Sequence, residues 1–304
     1  MSWFVIALIA PVCYALTNHI DKILLEKYFK ESGVGTLMLF SSLLSALALP
    51  FFYLMDPSVF AVAGSHILIL CGVGIINVLV LWLYFLALKD EEASVAIVFY
   101  QLVPVFAYIL GYFILGETLT RIELLAMAIV ILGTSIISFE IDSDNNFKLR
   151  RKTVILMTLA SLFWAVGSVV FKFVELDANV WRSLFWEHCM LASIGLLLFL
   201  FLRRQREHFL KAIRTNPLRI TAINFLNELL YIIGNAAFAY AYVLAPIALV
   251  LLTDSFQPIF VLAIGIGLTI FFPKIAVEKI HAVHLWQKVF AIAITGIGTY
   301  LLLM

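Results

Sequence analysis

Long apolar runs alternate with short polar joints along almost the whole of this chain. A run of roughly twenty apolar residues lets a helix cross about 30 Å of hydrocarbon while it satisfies its own backbone groups. Ten such segments are predicted: Trp3–Ile20, Val34–Leu54, His66–Leu88, Ser94–Leu115, Ile122–Phe139, Thr153–Val174, Val180–Leu202, Leu218–Leu244, Ile247–Phe272 and Leu285–Leu303. The most polar internal joint is Glu140–Lys152 (EIDSDNNFKLRRK), with five spans on either side. The chain thus divides into residues 1–139, a linker 140–152, and residues 153–304.

The two halves echo one another. Tyr14-Ala15-x-x-Asn18-x-x-x-Lys22 in span 1 has the spacing of Trp164-Ala165-x-x-Ser168-x-x-x-Lys172 in span 6. Gln101…Pro104-Val105-Phe106 in span 4 is echoed by Gln257-Pro258-Ile259-Phe260 in span 9, and a glycine follows each proline by seven residues, Gly111 and Gly265. Phe85-Leu86-Ala87 resembles Phe238-Ala239-Tyr240, and Gly133 and Gly296 lie near the ends of spans 5 and 10. Because five is odd, the second unit must enter the bilayer from the opposite side. The expected fold is an all-α membrane protein of ten transmembrane helices, arranged as two inverted five-helix repeats, an architecture typical of transporters.

Composition sharpens this picture. The chain of 304 residues is 64% hydrophobic and 13% charged, about half the charge of an ordinary soluble domain, with a mean hydropathy of +1.08. A net charge of +1 removes nucleic acid as an expected partner. Of the 20 Lys and Arg, 17 follow odd-numbered spans. The positive-inside rule then places those loops in the cytoplasm and both termini outside, and the membrane is expected to be the bacterial cytoplasmic (inner) one. Cys13, Cys71 and Cys189 fall in apolar segments and read as packing residues. Ser2–Leu16 lacks a basic leader and reads as the first span, not a cleaved signal.

The run Pro104…Leu115-Gly116-Glu117-x-Leu119-Thr120, with Phe85-Leu86-Ala87-Leu88, the Tyr14…Asn18…Lys22 pattern and Gly133, resembles the EamA-type drug/metabolite transporter (DMT) superfamily. The likeness covers two tandem five-span units; the second departs at Phe271-Phe272-Pro273-Lys274, where Gly-Glu-x-Leu is often repeated. The resemblance implies a secondary carrier that moves small polar or amphipathic metabolites, often amino acids or drugs, outward. It also implies a central cavity lined by spans 1–4 and 6–9, with spans 5 and 10 peripheral.

Polar side chains within spans are costly in hydrocarbon, so they face a protein interior or a wet cavity. In span 8, Asn224, Asn227, Glu228, Tyr231 and Asn235 share one helical stripe. They read as a substrate-facing wall with Glu228 as a cation or proton site; the alternative is interhelical hydrogen bonding. Asp254 and Gln257 lie one turn apart before Pro258, which frees a carbonyl and bends the helix. Asp254 is therefore the second coupling candidate, against a plain kink. Tyr100 and Gln101 are their counterparts in span 4, and Tyr14, Asn18, Trp164, Ser168, Asn77, Trp82 and Tyr84 complete the expected pathway. Lys22 and Lys172 read as residues that reach for headgroups, Glu187-His188 as a structural pair with a proton relay through His188 as the alternative, and Glu117 as a helix-end group that satisfies backbone amides or caps span 5.

No cofactor and no metal is expected. Asp142-Ser143-Asp144 and His281-x-x-His284 lack further ligands, and HExxH, CxxC and a phosphate-binding glycine loop are absent from the sequence. An enzyme is not expected, since no nucleophile, base and metal set converges. Arg203–Arg219 reads as a basic surface against anionic lipid. The expected partners are a small-molecule substrate, the bilayer, and protons or another coupling ion, with monomer and homodimer both open. The rival functions are a nucleotide-sugar/phosphate-ester exchanger, disfavoured for want of deep basic residues, and a non-transporting scaffold.

Overall fold

In the computed structural model, residues 2–29, 34–90, 98–138, 151–175, 179–215, 217–271 and 282–303 are described. All regular structure among them is helical. Span 1 is α1 (Ser2–Ile23), prolonged by a wide turn at Leu24–Tyr28. Span 2 is α2 (Val34–Leu44) and α3 (Ala48–Met55), joined by a 3₁₀ turn at Ser45–Leu47. Then come α4 (Gly64–Asp90), a 3₁₀ turn at Val98–Leu102, α5 (Val103–Leu115) and α6 (Arg121–Ser138). The second half holds α7 (Arg151–Glu175), α8 (Val180–Phe201), α9 (Arg203–Thr215) and α10 (Pro217–Leu244). It closes with α11 (Ile247–Leu252), a 3₁₀ turn at Thr253–Phe256, α12 (Gln257–Phe271) and α13 (Ala282–Leu303).

Seven of these helical segments are long and apolar enough to cross a membrane: Ser2–Tyr28, Val34–Met55, Gly64–Lys89, Arg151–Glu175, Val180–Phe201, Pro217–Leu244 and Ile247–Phe271. Phe99–Leu115 and Ile292–Leu302 are shorter apolar helices. Large apolar side chains cover the outside, Leu54 and Phe113 being 76% and 78% exposed. This is the surface of a chain whose solvent is lipid. The protein is an integral, multi-pass membrane protein. Residues 140–150 of the linker, Glu278 and His281 lie outside the described residues, as does the His284 side chain.

The prolines act as helix starters. Pro104 and Pro258 are each the second residue of a helix, α5 and α12, where a missing N–H costs nothing. Each is entered through a 3₁₀ turn, and the two turns meet: Gln101 Nε2 donates to Ser255 O at 3.4 Å. α5 ends at Gly116, whose φ of 67° is left-handed, a conformation that glycine adopts without a Cβ clash.

Glu117, next in the chain, does not cap span 5. Thr120 and Glu123 do that reciprocally, Thr120 N to Glu123 Oε2 at 2.7 Å and Glu123 N to Thr120 Oγ1 at 3.2 Å, the capping-box arrangement. Glu117 Oε2 instead accepts from Ile247 N at 2.8 Å, so it caps α11 at the start of span 9.

Helices pair across the sequence divide. α1 packs on α10 and α4 on α7; α2 and α3 pack on α8, α5 on α11, and α6 on α13. The α6–α13 seam is closed by glycines. A Cβ on Gly133 would lie 2.6 Å from Thr295 Oγ1, and one on Gly298 would lie 2.8 Å from Val130 Cγ2. The close approach in span 10 is therefore at Gly298; Gly296, singled out by the sequence, has open space around it.

Candidate functional site

Four long helices supply most of the walls of one central cavity. α1 offers Tyr14, Thr17, Asn18 and Asp21, and α7 offers Trp164, Gly167, Ser168 and Phe171 at the same i, i+3, i+4, i+7 spacing, which is one helical face. α4 contributes Asn77 and Tyr84, and α10 contributes Asn227, Glu228, Tyr231, Asn235 and Tyr242. Ser41, Ser42 and Ser45 from span 2, Tyr100, Glu187 and Gln257 complete the polar lining. The empty space, counted out to the mouth, is about 1080 Å³. None of the described side chains of α6 and α13 lines it.

Aromatic rings form a connected wall. Tyr14 sits 6.0 Å from Trp164, 5.9 Å from Tyr231 and 5.8 Å from Phe238, centroid to centroid. Tyr100 meets Trp164 edge-on at 4.8 Å and Tyr84 at 6.0 Å, within the range where ring pairs attract. Gly234 makes room for this: a Cβ there would lie 2.6 Å from Tyr14 Cε1.

Carboxylates punctuate the wall. Asp21 accepts from Asn227 Nδ2 at 2.7 Å. Glu187 Oε1 accepts from Asn77 Nδ2 and, at 3.3 Å, from Asn235 Nδ2. Glu228 is 5% exposed and has no hydrogen bond or ion pair among the described residues. Among the described residues, no lysine, arginine or histidine lines the cavity. Asp254, 2% exposed, stands behind the wall. With its amide turned to suit its neighbours, Gln257 donates to Asp254 Oδ2 at 3.1 Å and accepts from Asn18 Nδ2 at 2.7 Å.

Of the pathway residues expected from sequence, Tyr14, Asn18, Asn77, Tyr100, Trp164, Ser168, Asn227, Glu228, Tyr231, Asn235 and Gln257 line this cavity. Trp82, Gln101, Asn224 and Asp254 do not. Trp82 is 43% exposed, on the outer side of α4. Gln101 is spent on Ser255 O, and Asn224 Nδ2 donates to Ile220 O at 2.8 Å within its own helix.

Glu187 and His188 do not pair. Adjacent helical residues point about 100° apart; Glu187 enters the cavity, whereas His188 bonds Leu184 O at 3.0 Å through Nδ1 and packs on Phe52. Asp21 and Glu187 line the cavity as well, and Thr17, Tyr242 and the three serines are polar lining residues that the sequence reading passed over.

The lysines do not simply reach for headgroups. Lys22 Nζ donates to Leu88 O at 3.0 Å, with Glu26 at 3.2 Å. Lys172, 5% exposed, donates to Ala245 O at 2.7 Å and pairs with Glu117. Both cross-link the C-terminal ends of neighbouring helices. Tyr84 Oη donates to Asn18 Oδ1 at 2.7 Å, and Tyr242 Oη to Ser168 Oγ at 3.2 Å.

A bundle of apolar helices thus surrounds a polar, aromatic-walled chamber. Residues 1–139, a little under half of the chain, match the model of the EamA-like transporter family, consistent with a transporter of the drug/metabolite type. A solved crystal structure of a protein aligns over 99% of this chain and 96% of its own, with a TM-score of 0.68 at 14% identity, and shows the shared fold. No curated protein sequence matches.

Proposed function

We propose that the chain is a secondary active transporter, an exporter of small polar or amphipathic metabolites such as amino acids or organic cations. Its ten spans form two inverted units, 1–139 and 153–304 joined by 140–152, which rock about a midplane site to give alternating access. The exchange of contacts between halves carries this reading. α1 packs on α10 as α7 packs on α4. Lys22 holds Leu88 O as Lys172 holds Ala245 O, and Tyr84 holds Asn18 as Tyr242 holds Ser168. Gly133 abuts Thr295 as Gly298 abuts Val130. The bonded pairs match Tyr84 with Tyr242, roughly one and a half turns away from the Phe85/Phe238 register read from sequence.

The membrane is the bacterial inner membrane, and both termini face outward. With energy taken from a gradient, Glu228 and Asp254 are the coupling groups: one faces the cavity directly, the other is relayed through Gln257. In membrane vesicles, Glu228→Gln and Asp254→Asn should lose the dependence of flux on the pH gradient. Proton-coupled flux unchanged in both variants would remove the coupling. The phosphate-ester exchanger is disfavoured by a lining without basic residues. A ligand-flux assay on proteoliposomes separates a carrier from a scaffold.

A further inference from the structure

Among the described residues the cavity lining has one sign of charge. Its carboxylates, Asp21, Glu187 and Glu228, face no lining cation. Three of its amides are already committed as donors to two of these acids, Asn227 to Asp21 and Asn77 and Asn235 to Glu187. A solute carboxylate or phosphate would therefore meet like charge. Buried like charges without a counterion are strongly disfavoured. An ammonium meets the reverse: unpaired acid at Glu228 and ring faces at Tyr231, Tyr14 and Trp164, and cations are attracted to such faces.

The acids are grouped at two levels. Asn235 marks the height of Glu187, and Glu228 lies seven residues earlier on the same helix, about two turns or ~10 Å along its axis. Asp21 joins the lower group through Asn227, the residue before Glu228. Tyr231, between the two levels, faces Tyr14 at 5.9 Å. Acid, aromatic girdle and acid thus follow one another along the chamber.

We propose that this chamber takes an elongated organic dication, a diamine or polyamine, with one ammonium at Glu187, the other at Glu228 and Asp21, and the methylene chain against Tyr14 and Tyr231. This narrows the substrate of the carrier proposed above and rests on that reading for transport, though not for binding. The test is calorimetric binding to the purified full chain, with ethylenediamine, cadaverine, spermidine, butylamine and phenylalanine as probes.

Spermidine or cadaverine should bind at least tenfold more tightly than butylamine and ethylenediamine, and phenylalanine should not compete. Glu187→Gln and Glu228→Gln should each weaken the long diamines about tenfold and bring them near the monoamine. Phenylalanine or butylamine binding as tightly as spermidine to the unaltered protein would overturn the proposal, and that comparison needs no variant to fold. In proteoliposomes, diamine binding without flux would sink the carrier reading and leave the site. Flux of an amino acid with no diamine binding would do the opposite.

Discussion

Replacing Lys172 by methionine isolates the cross-link at one end of the bundle. Methionine keeps most of the apolar stem, so the loss is the charge and its two contacts, Ala245 O at 2.7 Å and Glu117. Lys172 is 5% exposed and the Glu117 side chain 19%, so solvent can replace little of what is removed. Breaking a buried pair by deleting one partner costs about 3–5 kcal/mol; partial exposure of Glu117 sets the expectation at the lower end, about 3 kcal/mol. Glu117→Gln still offers an oxygen to Ile247 N and loses only the charged contact, about 2 kcal/mol by the worth of hydrogen bonds to charged groups. Since both variants delete the same interaction, the double variant should fall short of their sum by about 2 kcal/mol, inside the range measured for residues in direct contact. The assay is SDS-driven unfolding in mixed micelles of all four proteins, followed by tryptophan fluorescence. Additivity to within about 0.5 kcal/mol would mean that Lys172 and Glu117 do not act on each other. The account of that end of the bundle would then fail.

Two further outcomes follow from the same kind of reasoning. Alanine at Gly133 or Gly298 places a methyl 2.6–2.8 Å from the opposite helix and should cost about 1–3 kcal/mol through overpacking, whereas alanine at Gly296, in open space, should be near neutral in the same unfolding assay. Asp56, in the turn after α3, accepts from Ser58 N at 2.9 Å and from Arg182 Nε at 2.7 Å, and these contacts, Ser58 first, hold its carboxyl below the ordinary aspartate range. Its contribution is complete above the unfolded-state value and is lost as pH falls through the lower folded value. Asp56→Asn should therefore flatten the acid side of the stability profile, and a profile superimposable on the parent would refute the assignment.

Seven of the ten expected spans were legible because apolar run length is a direct consequence of bilayer thickness, whereas the polar helix α9 carries no such signal. The α10 wall was legible too, because Asn227, Glu228, Tyr231 and Asn235 recur at helical spacing. What failed was inference from neighbours in sequence. Glu187 beside His188 looked like a local pair, yet consecutive helical residues face different directions, and Glu187 finds its asparagines on two other helices. Trp82 misled because an aromatic suits lipid and cavity equally, and only packing decides between them. Glu117 was given the right chemistry and the wrong helix. Its own loop supplies a separate cap in Thr120 and Glu123, which frees it for Ile247, 130 positions along the chain. The serines of α2 were passed over because small polar residues are also ordinary helix-contact residues in membranes.

The proline-led turns at Val98–Leu102 and Thr253–Phe256 have a mechanical consequence. An intact transmembrane rod bends only by tearing its own ladder, and lipid offers nothing to mend the tear. Here the tighter winding and the absent amide at each proline mean that the ladder is already interrupted where the two turns touch. Compliance is thus stored where the two turns touch, and α5 and α12, the stiff helices that follow them, can tilt without a fresh rupture.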